Sequence, residues 1–200
     1  MNKIKEKTLE IIVNDALELF LKNSIASVRI KDVANASGIG EATVYRYFST
    51  KLNILEKCAV NLQNRVYEEY FRLVGKTGHE KVSAFYSGYH KIFIDHPEFY
   101  RFIRELDAFV IDSGGSLEEY SKGVDLFKNE FLTAYGEGLN DGSIRKTTDI
   151  ETFYYSTTHA LLELCKKLAL NGKVVKQDEK IKKDNEIQTL SSIILSALKS

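Results

Sequence analysis

Residues 29–49 read RIKDVANASGIGEATVYRYFS, and this stretch decides the fold of the chain around it. Two short apolar-periodic segments flank a glycine: Ile30, Val33 and Ala34 before Gly38, then Ile39, Val44 and Phe48 after it. Two short helices crossed steeply and joined by about three residues make three steric demands. A small residue must stand where the helices approach. A glycine must take positive φ to end the first, and an aliphatic side chain must plug the core beneath the second. Ala34, Gly38 and Val44 occupy those positions, so the spacing predicts a helix-turn-helix. An ordinary helical hairpin with a glycine C-cap would share the glycine. It gives no reason for the outward residues after the turn to be Glu41, Ala42, Thr43, Tyr45, Arg46 and Tyr47.

That outward set suits DNA. Small residues at the start of the second helix, Gly40 and Ala42, let backbone amides approach a duplex, and the helix dipole favours phosphate there. Thr43 and the hydroxyls of Tyr45 and Tyr47 can bond phosphates, while the Tyr45 ring can meet thymine methyls. Arg46 reaches guanine or a phosphate. Lys51 is placed for a further phosphate, and Arg29 and Lys31 flank the site.

Working outward, Leu9, Ile12, Val13, Ala16, Leu19 and Phe20 recur at helical spacing and predict a first helix over 4–23. Ser49 is expected to open a long fourth helix, with Leu52, Leu55, Ala59, Leu62 and Val66 on one side and Gly75 and Gly78 closing it. A helix over 79–95 follows, and the chain restarts with Pro97 at the first helical position. Ser116 with Glu119, and Thr148 with Glu151, read as capping boxes for two later helices that end near Gly142 and near Asn171. Residues 173–184 read as a charged, solvated connection. Ile187, Leu190, Ile193, Ile194, Ala197 and Leu198 define a last amphipathic helix. No strand-like alternation occurs. The expected fold is all-α with about nine helices: a three-helix helix-turn-helix DNA-binding domain over 1–50 and a helical ligand-binding and dimerisation bundle over 51–200.

The bulk numbers agree with a globular protein: 200 residues, 44% hydrophobic and 28% charged. The zero net charge hides an asymmetry, because residues 1–65 carry ten Lys/Arg against seven Asp/Glu and the remainder is correspondingly acidic. Cys58 and Cys165 form no CxxC pair or disulfide framework, the N-terminus is basic without a secretory apolar core, and no apolar run reaches the ~18 residues of a membrane span. A cytoplasmic protein with no membrane partner is expected.

The 79–161 stretch is rich in Phe and Tyr. Most of these rings are core. Tyrosines are costly to bury without a hydroxyl partner, so several on successive helices predict a ring-lined cavity for a small apolar or aromatic molecule. The expected wall is Phe85, Tyr89, Phe93, Phe102, Phe127, Phe131 and Tyr155, with His159 beside it. The histidines at 79, 90, 96 and 159 form no metal-ligand spacing, and no cofactor is expected. No nucleophile elbow, P-loop or dinucleotide fingerprint is present, which argues against an enzyme. The rival reading is a ligand-binding or scaffold protein that keeps the helix-turn-helix shape without DNA affinity.

Ala16–Phe20, Lys31-Asp32-Val33-Ala34, Ala36-Ser37-Gly38-Ile39 and Thr43-Val44-Tyr45-Arg46-Tyr47-Phe48 followed by Lys51 together resemble the TetR family of regulators over about residues 5–65. A fainter likeness lies at His96-Pro97 and Gly142-Ser-Ile-Arg145. The resemblance implies a homodimer on operator DNA, most often a repressor released by a small-molecule effector, although activation remains open. It also implies pairing of the last two helices between subunits. Ala160, Leu161, Leu164, Leu168, Ile187, Leu190, Ile194 and Leu198 are the expected interface.

Three positions depart from the family pattern. Ser24 replaces the usual glycine after the first helix, so that turn is expected to differ or be strained. Val28-Arg29 replaces the usual Ser/Thr pair, removing a normal cap. Glu41 replaces a cation, which either weakens non-specific attraction or lets a carboxylate read a cytosine amino group.

Overall fold

The computed structural model describes residues 3–147, 149–170 and 181–200. Thr148 and most of the expected solvated connection lie outside them. The described residues form nine helices: α1 (Lys3–Lys22), α2 (Ile30–Ala36), α3 (Glu41–Tyr47), α4 (Lys51–Tyr70), α5 (Gly78–Asp95), α6 (Pro97–Ser113), α7 (Glu118–Asn140), α8 (Ile150–Ala169) and α9 (Lys183–Leu198). Among them, none is long and apolar enough to cross a membrane, and no group of His, Cys, Asp and Glu could hold a metal ion. The chain divides into two compact units, one of residues 1–65 with 102–123 and one of 66–101 with 124–200. The division runs through α4, α6 and α7.

In the first unit, the apolar stripe of α1 (Ile12, Val13, Ala16, Leu17, Phe20) is buried, as are Val33, Ala34, Val44 and Phe48 of the helix-turn-helix and Ile54, Leu55 and Cys58 of α4. The Cys58 thiol donates to Val13 O at 3.5 Å, and burial pushes its pKa up, so it is an inert core residue. Side chains, not glycines, make the turn after α1. Ser27 N–H donates to Ser24 Oγ at 3.3 Å and the Ser27 hydroxyl to Ser24 O at 2.9 Å. No non-glycine residue has positive φ among the described residues, so Ser24 changes the turn without straining it.

Two expected caps move. Thr50, not Ser49, opens α4: Thr50 N–H donates to Asn53 Oδ1 and Asn53 N–H to Thr50 Oγ1, each at 3.2 Å. At the start of α7 the Glu119 N–H donates to Glu56 Oε1 at 2.8 Å. A carboxylate from α4 therefore does what Ser116 was expected to do, and Lys57 pairs with the Glu119 side chain.

In the second unit, α4 stops at Tyr70, and Gly78 begins α5 instead of closing α4. Gly78 is needed for close approach: a Cβ there would collide with the backbone of Gly138 in α7. The turn after α7 fastens two helix ends. Asp141 Oδ2 accepts from Gly78 N–H at 2.7 Å and Ser143 Oγ from His79 N–H at 3.1 Å. Arg145 then donates its N–H to Leu198 O at 2.9 Å and Nε to Ala197 O at 2.8 Å. The start of α5 and the end of α9, each with unpaired backbone groups, are thus closed by one segment. Gly142 turns it with φ 76°. Asp149, one residue after the expected Thr148, caps α8 by accepting from Thr152 N–H at 3.0 Å.

Helix α9 packs on α5 and α8. Leu161, Leu168, Ile187, Ile194 and Leu198 are all buried in the chain's own core. Five of the eight expected interface side chains are thus packed inside one copy. Ala160 is exposed, and Leu164 and Leu190 are partly buried. Outward on α9 stands Ile193, 61% exposed, beside Ser192 and Ser196. Both helices are amphipathic, and a sequence pattern alone does not say whether the apolar stripe turns toward its own bundle or a second copy.

Candidate nucleic-acid interface

The head is built on a backbone motif. Helix α2 ends with Gly38 at φ 63°, Gly38 N–H donating to Asn35 O at 3.2 Å and Ile39 N–H to Ala34 O at 3.0 Å. These two bonds are a Schellman termination, which needs a left-handed residue and so favours glycine. The chain re-enters at Gly40, and Val44 and Phe48 are buried beneath α3, so the opposite side of this seven-residue helix is left outward.

Glu41, Ala42, Tyr45 and Arg46 are exposed on α3, with Thr43 and Tyr47 partly so. Tyr45 leaves 48% of its surface in solvent. The Arg46 guanidinium lies 5.8 Å from the Tyr47 ring centroid, a cation–π contact that holds the charge near the helix surface. A Cβ on Gly40 would meet nothing within 4 Å, so the head itself does not require a small residue there. Arg29 and Lys31, at the start of α2, are also exposed.

The missing cap before α2 is replaced from the other direction. Arg29 occupies the N-cap position and, having only donors, cannot accept. Asp32 reaches back, its Oδ2 accepting from Arg29 N–H at 2.7 Å, which is one half of a capping box.

Lys51 departs from expectation. Its ammonium turns inward and donates to Val28 O at 2.6 Å and to Ile25 O, and burial lowers its pKa against an opposing pull from Asp32. The side chain is occupied within the head instead of reaching outward for phosphate. All ten expected DNA contacts are exposed or partly exposed, nine of them from Arg29 at the α2 N-cap to Tyr47 at the end of α3, while the Lys51 ammonium is bound within the head.

The expected effector wall is divided. Phe85, Tyr89, Phe127 and Phe131 gather in the second unit around Phe71, which sequence reading did not single out. Phe71 lies 5.2 Å from Phe85, 5.6 Å from Tyr89 and 4.8 Å from Phe127, all edge-on. Phe85 in turn meets Phe131 at 5.3 Å. Phe93 packs 6.3 Å from Tyr100. Phe102 belongs to the first unit, 6.5 Å from Phe20. Tyr155 and His159 are exposed, their rings tilted and 5.8 Å apart, and Tyr155 meets the cluster's edge through Tyr154 at 5.3 Å. The tyrosine hydroxyls find partners within the protein: Tyr86 with Thr157 Oγ1 at 2.7 Å, Tyr100 to Tyr89 O at 2.8 Å and Tyr67 to Glu130 Oε1 at 2.8 Å. Those three hydroxyls therefore need no ligand to satisfy them.

With the geometry in place, comparison with known proteins gives it a family likeness. Residues 12–58 match the family of bacterial regulatory proteins, tetR family. YerO, an HTH-type transcriptional regulator of Bacillus subtilis (strain 168), is 24% identical over all of this chain and 70% of its own length. A transcriptional regulator from Saccharomonospora viridis, solved in complex with choline, superposes with a TM-score of 0.72 at 18% identity, covering 98% of this chain and 99% of that one. The regulator FadR from Bacillus subtilis, in complex with stearoyl-CoA, gives 0.65 at 17% identity over 94% and 98%. These structures share the fold, and the helix-turn-helix match lies on the α2–α3 head. Over residues 12–58, the α1–α4 region that holds the head, the chain is thus similar to the tetR family of bacterial regulatory proteins, and over its whole length to an HTH-type transcriptional regulator.

Proposed function

We propose that this protein is a dimeric repressor that holds a near-palindromic operator through α3 and leaves it when a small apolar or aromatic effector binds the helical half. One observation carries the reading. A seven-residue helix seated by buried Val44 and Phe48 presents Ala42, Tyr45 and Arg46 to solvent at no benefit to the protein's own core. That outward face is the one a helix-turn-helix lays in the major groove. On DNA, Tyr45 meets thymine methyls or phosphate, Arg46 guanine or phosphate, and Glu41 a cytosine amino group. Arg29 and Lys31 add phosphate contacts beside them.

The dimer follows from the family and from the outward side of α8 and α9, where Ala160 and Ile193 stand exposed. Two-fold pairing sets two recognition helices ~34–36 Å apart, on successive major grooves. Effector control follows by analogy with the relatives that hold choline and stearoyl-CoA. The ring cluster around Phe71 and Phe85 is the apolar region that opens to admit the molecule. The effector shifts the population of α4 positions and with it the spacing of the heads.

Fluorescence anisotropy with the DNA upstream of the protein's own gene tests the reading, over a salt series, with wild type and the Tyr45→Ala/Arg46→Ala double variant. Selective wild-type binding that weakens with salt and collapses in the double variant is the expected result. Equal binding by both proteins on a duplex that wild type selects would contradict it.

A further inference from the structure

Lys51 opens α4, where its sequence context offers one more cation to a DNA backbone. Its surroundings assign it another task. Of the three N–H donors of an ammonium, two go to Ile25 O and Val28 O in the turn between α1 and α2. The Nζ atom also lies 5.4 Å from the Phe109 ring centroid and 5.9 Å from that of Phe20. On the same turn, Glu105 of α6 accepts the N–H of Ile25 through Oε2 at 2.6 Å. Both backbone groups of Ile25 are therefore bound by charged side chains of opposite sign from two different helices. Such charge-assisted bonds are about twice as strong as neutral ones, and Ile25 and Val28 are themselves buried. The residue after Val28 is Arg29, the N-cap of α2.

We propose that Lys51 and Glu105 are positioning residues of the reading head: together they clamp the turn between α1 and α2, fix where α2 starts, and so set the pose in which α3 meets DNA, neither side chain touching the duplex. The inference rests on DNA binding by α3. It also reverses what charge alone predicts at both positions. A phosphate contact at Lys51 would contribute about 0.9 to the slope of log affinity against log salt, whereas a clamp contributes none. Deleting an anion near DNA would strengthen binding, whereas deleting a clamp at Glu105 weakens it.

The test uses the full-length protein as wild type, Lys51→Met, Glu105→Ala and Glu105→Gln, on a duplex that wild type selects from a random pool. Anisotropy is followed from about 50 to 200 mM salt, and amide hydrogen exchange is read at Ile25. Lys51→Met is expected to weaken binding roughly tenfold, the order of one lost charge-assisted bond, with the salt slope unchanged. Glu105→Ala is expected to weaken binding similarly and to speed exchange at Ile25. Glu105→Gln keeps an acceptor and falls between Glu105→Ala and wild type. A slope reduced by about 0.9 in Lys51→Met, or tighter binding by Glu105→Ala with Ile25 exchange unchanged, overturns the clamp while leaving DNA recognition by α3 standing. If Lys51→Met fails to fold, the two Glu105 variants decide by the same sign. A wild-type protein that selects no duplex overturns both readings.

Discussion

At the scale of single residues, the head shows which side chains are committed to the fold and which are offered outward. Asp32 is occupied by the Arg29 N–H and Lys51 by two carbonyls. Glu41, Tyr45 and Arg46 point away from the core. Glu41 is the informative one, because it places an anion at the start of a helix that meets a polyanion. Replacing it with lysine is expected to steepen the salt slope by about 0.9 per new phosphate contact and to raise binding to unrelated duplexes more than to the selected one. Anisotropy on both duplexes reads this directly, and unchanged binding to either would show that Glu41 lies away from the DNA. The exposed α3 set was legible in the sequence because Ala34, Gly38 and Val44 fix the helix-turn-helix register, and the register fixes which positions face out. The inward turn of Lys51 was not legible, since its partners are backbone carbonyls 23 and 26 residues away and depend on how the α1–α2 turn folds.

Among the elements, the all-α architecture and the places of the helices were readable from apolar periodicity, and Pro97 does start α6. Caps were less readable. Glu56 serves α7 in place of Ser116, because a carboxylate brought by another helix competes with the local hydroxyl and no local pattern contains it. The glycines divide in the same way. Gly38 was predictable from the turn it makes, whereas Gly78 reads as a helix stop and is in fact the contact point of α5 on α7. Gly78→Ala is accordingly expected to destabilise by about 1–3 kcal/mol through overpacking. Gly136, two residues before Gly138 on α7 and with nothing within 4 Å of a built Cβ, gives the opposite result: Ala there is expected to stabilise by about 0.5–1 kcal/mol. Thermal or urea unfolding of the two variants measures the contrast, and equal effects would place the α5–α7 crossing elsewhere.

For the whole molecule, the aromatic core is the part whose role is least legible in the sequence. Rings at helical spacing look alike whether they line a cavity or fill one, and only their hydroxyl partners separate the cases. Tyr86 and Tyr100 are bonded internally, and burial raises the pKa of Tyr86, Tyr100 and Tyr154 above the ordinary value of 10.0. A raised native pKa contributes stability that is whole below the unfolded value and is lost as pH climbs through the native one. Unfolding is therefore expected to set in above about pH 10, with tyrosinate absorbance and loss of helical dichroism rising together. Tyrosinate forming fully near pH 10 with helicity intact would contradict the packed core. The central claim, however, is that a two-fold protein reads DNA through α3, and selection of duplexes from a random pool by the wild-type protein tests it most directly. An enriched near-palindrome is expected, its half-sites centred about one helical turn or a multiple of it apart, with no enrichment by the Tyr45→Ala/Arg46→Ala variant. A pool that gains no motif, or gains the same motif with the double variant, would contradict it.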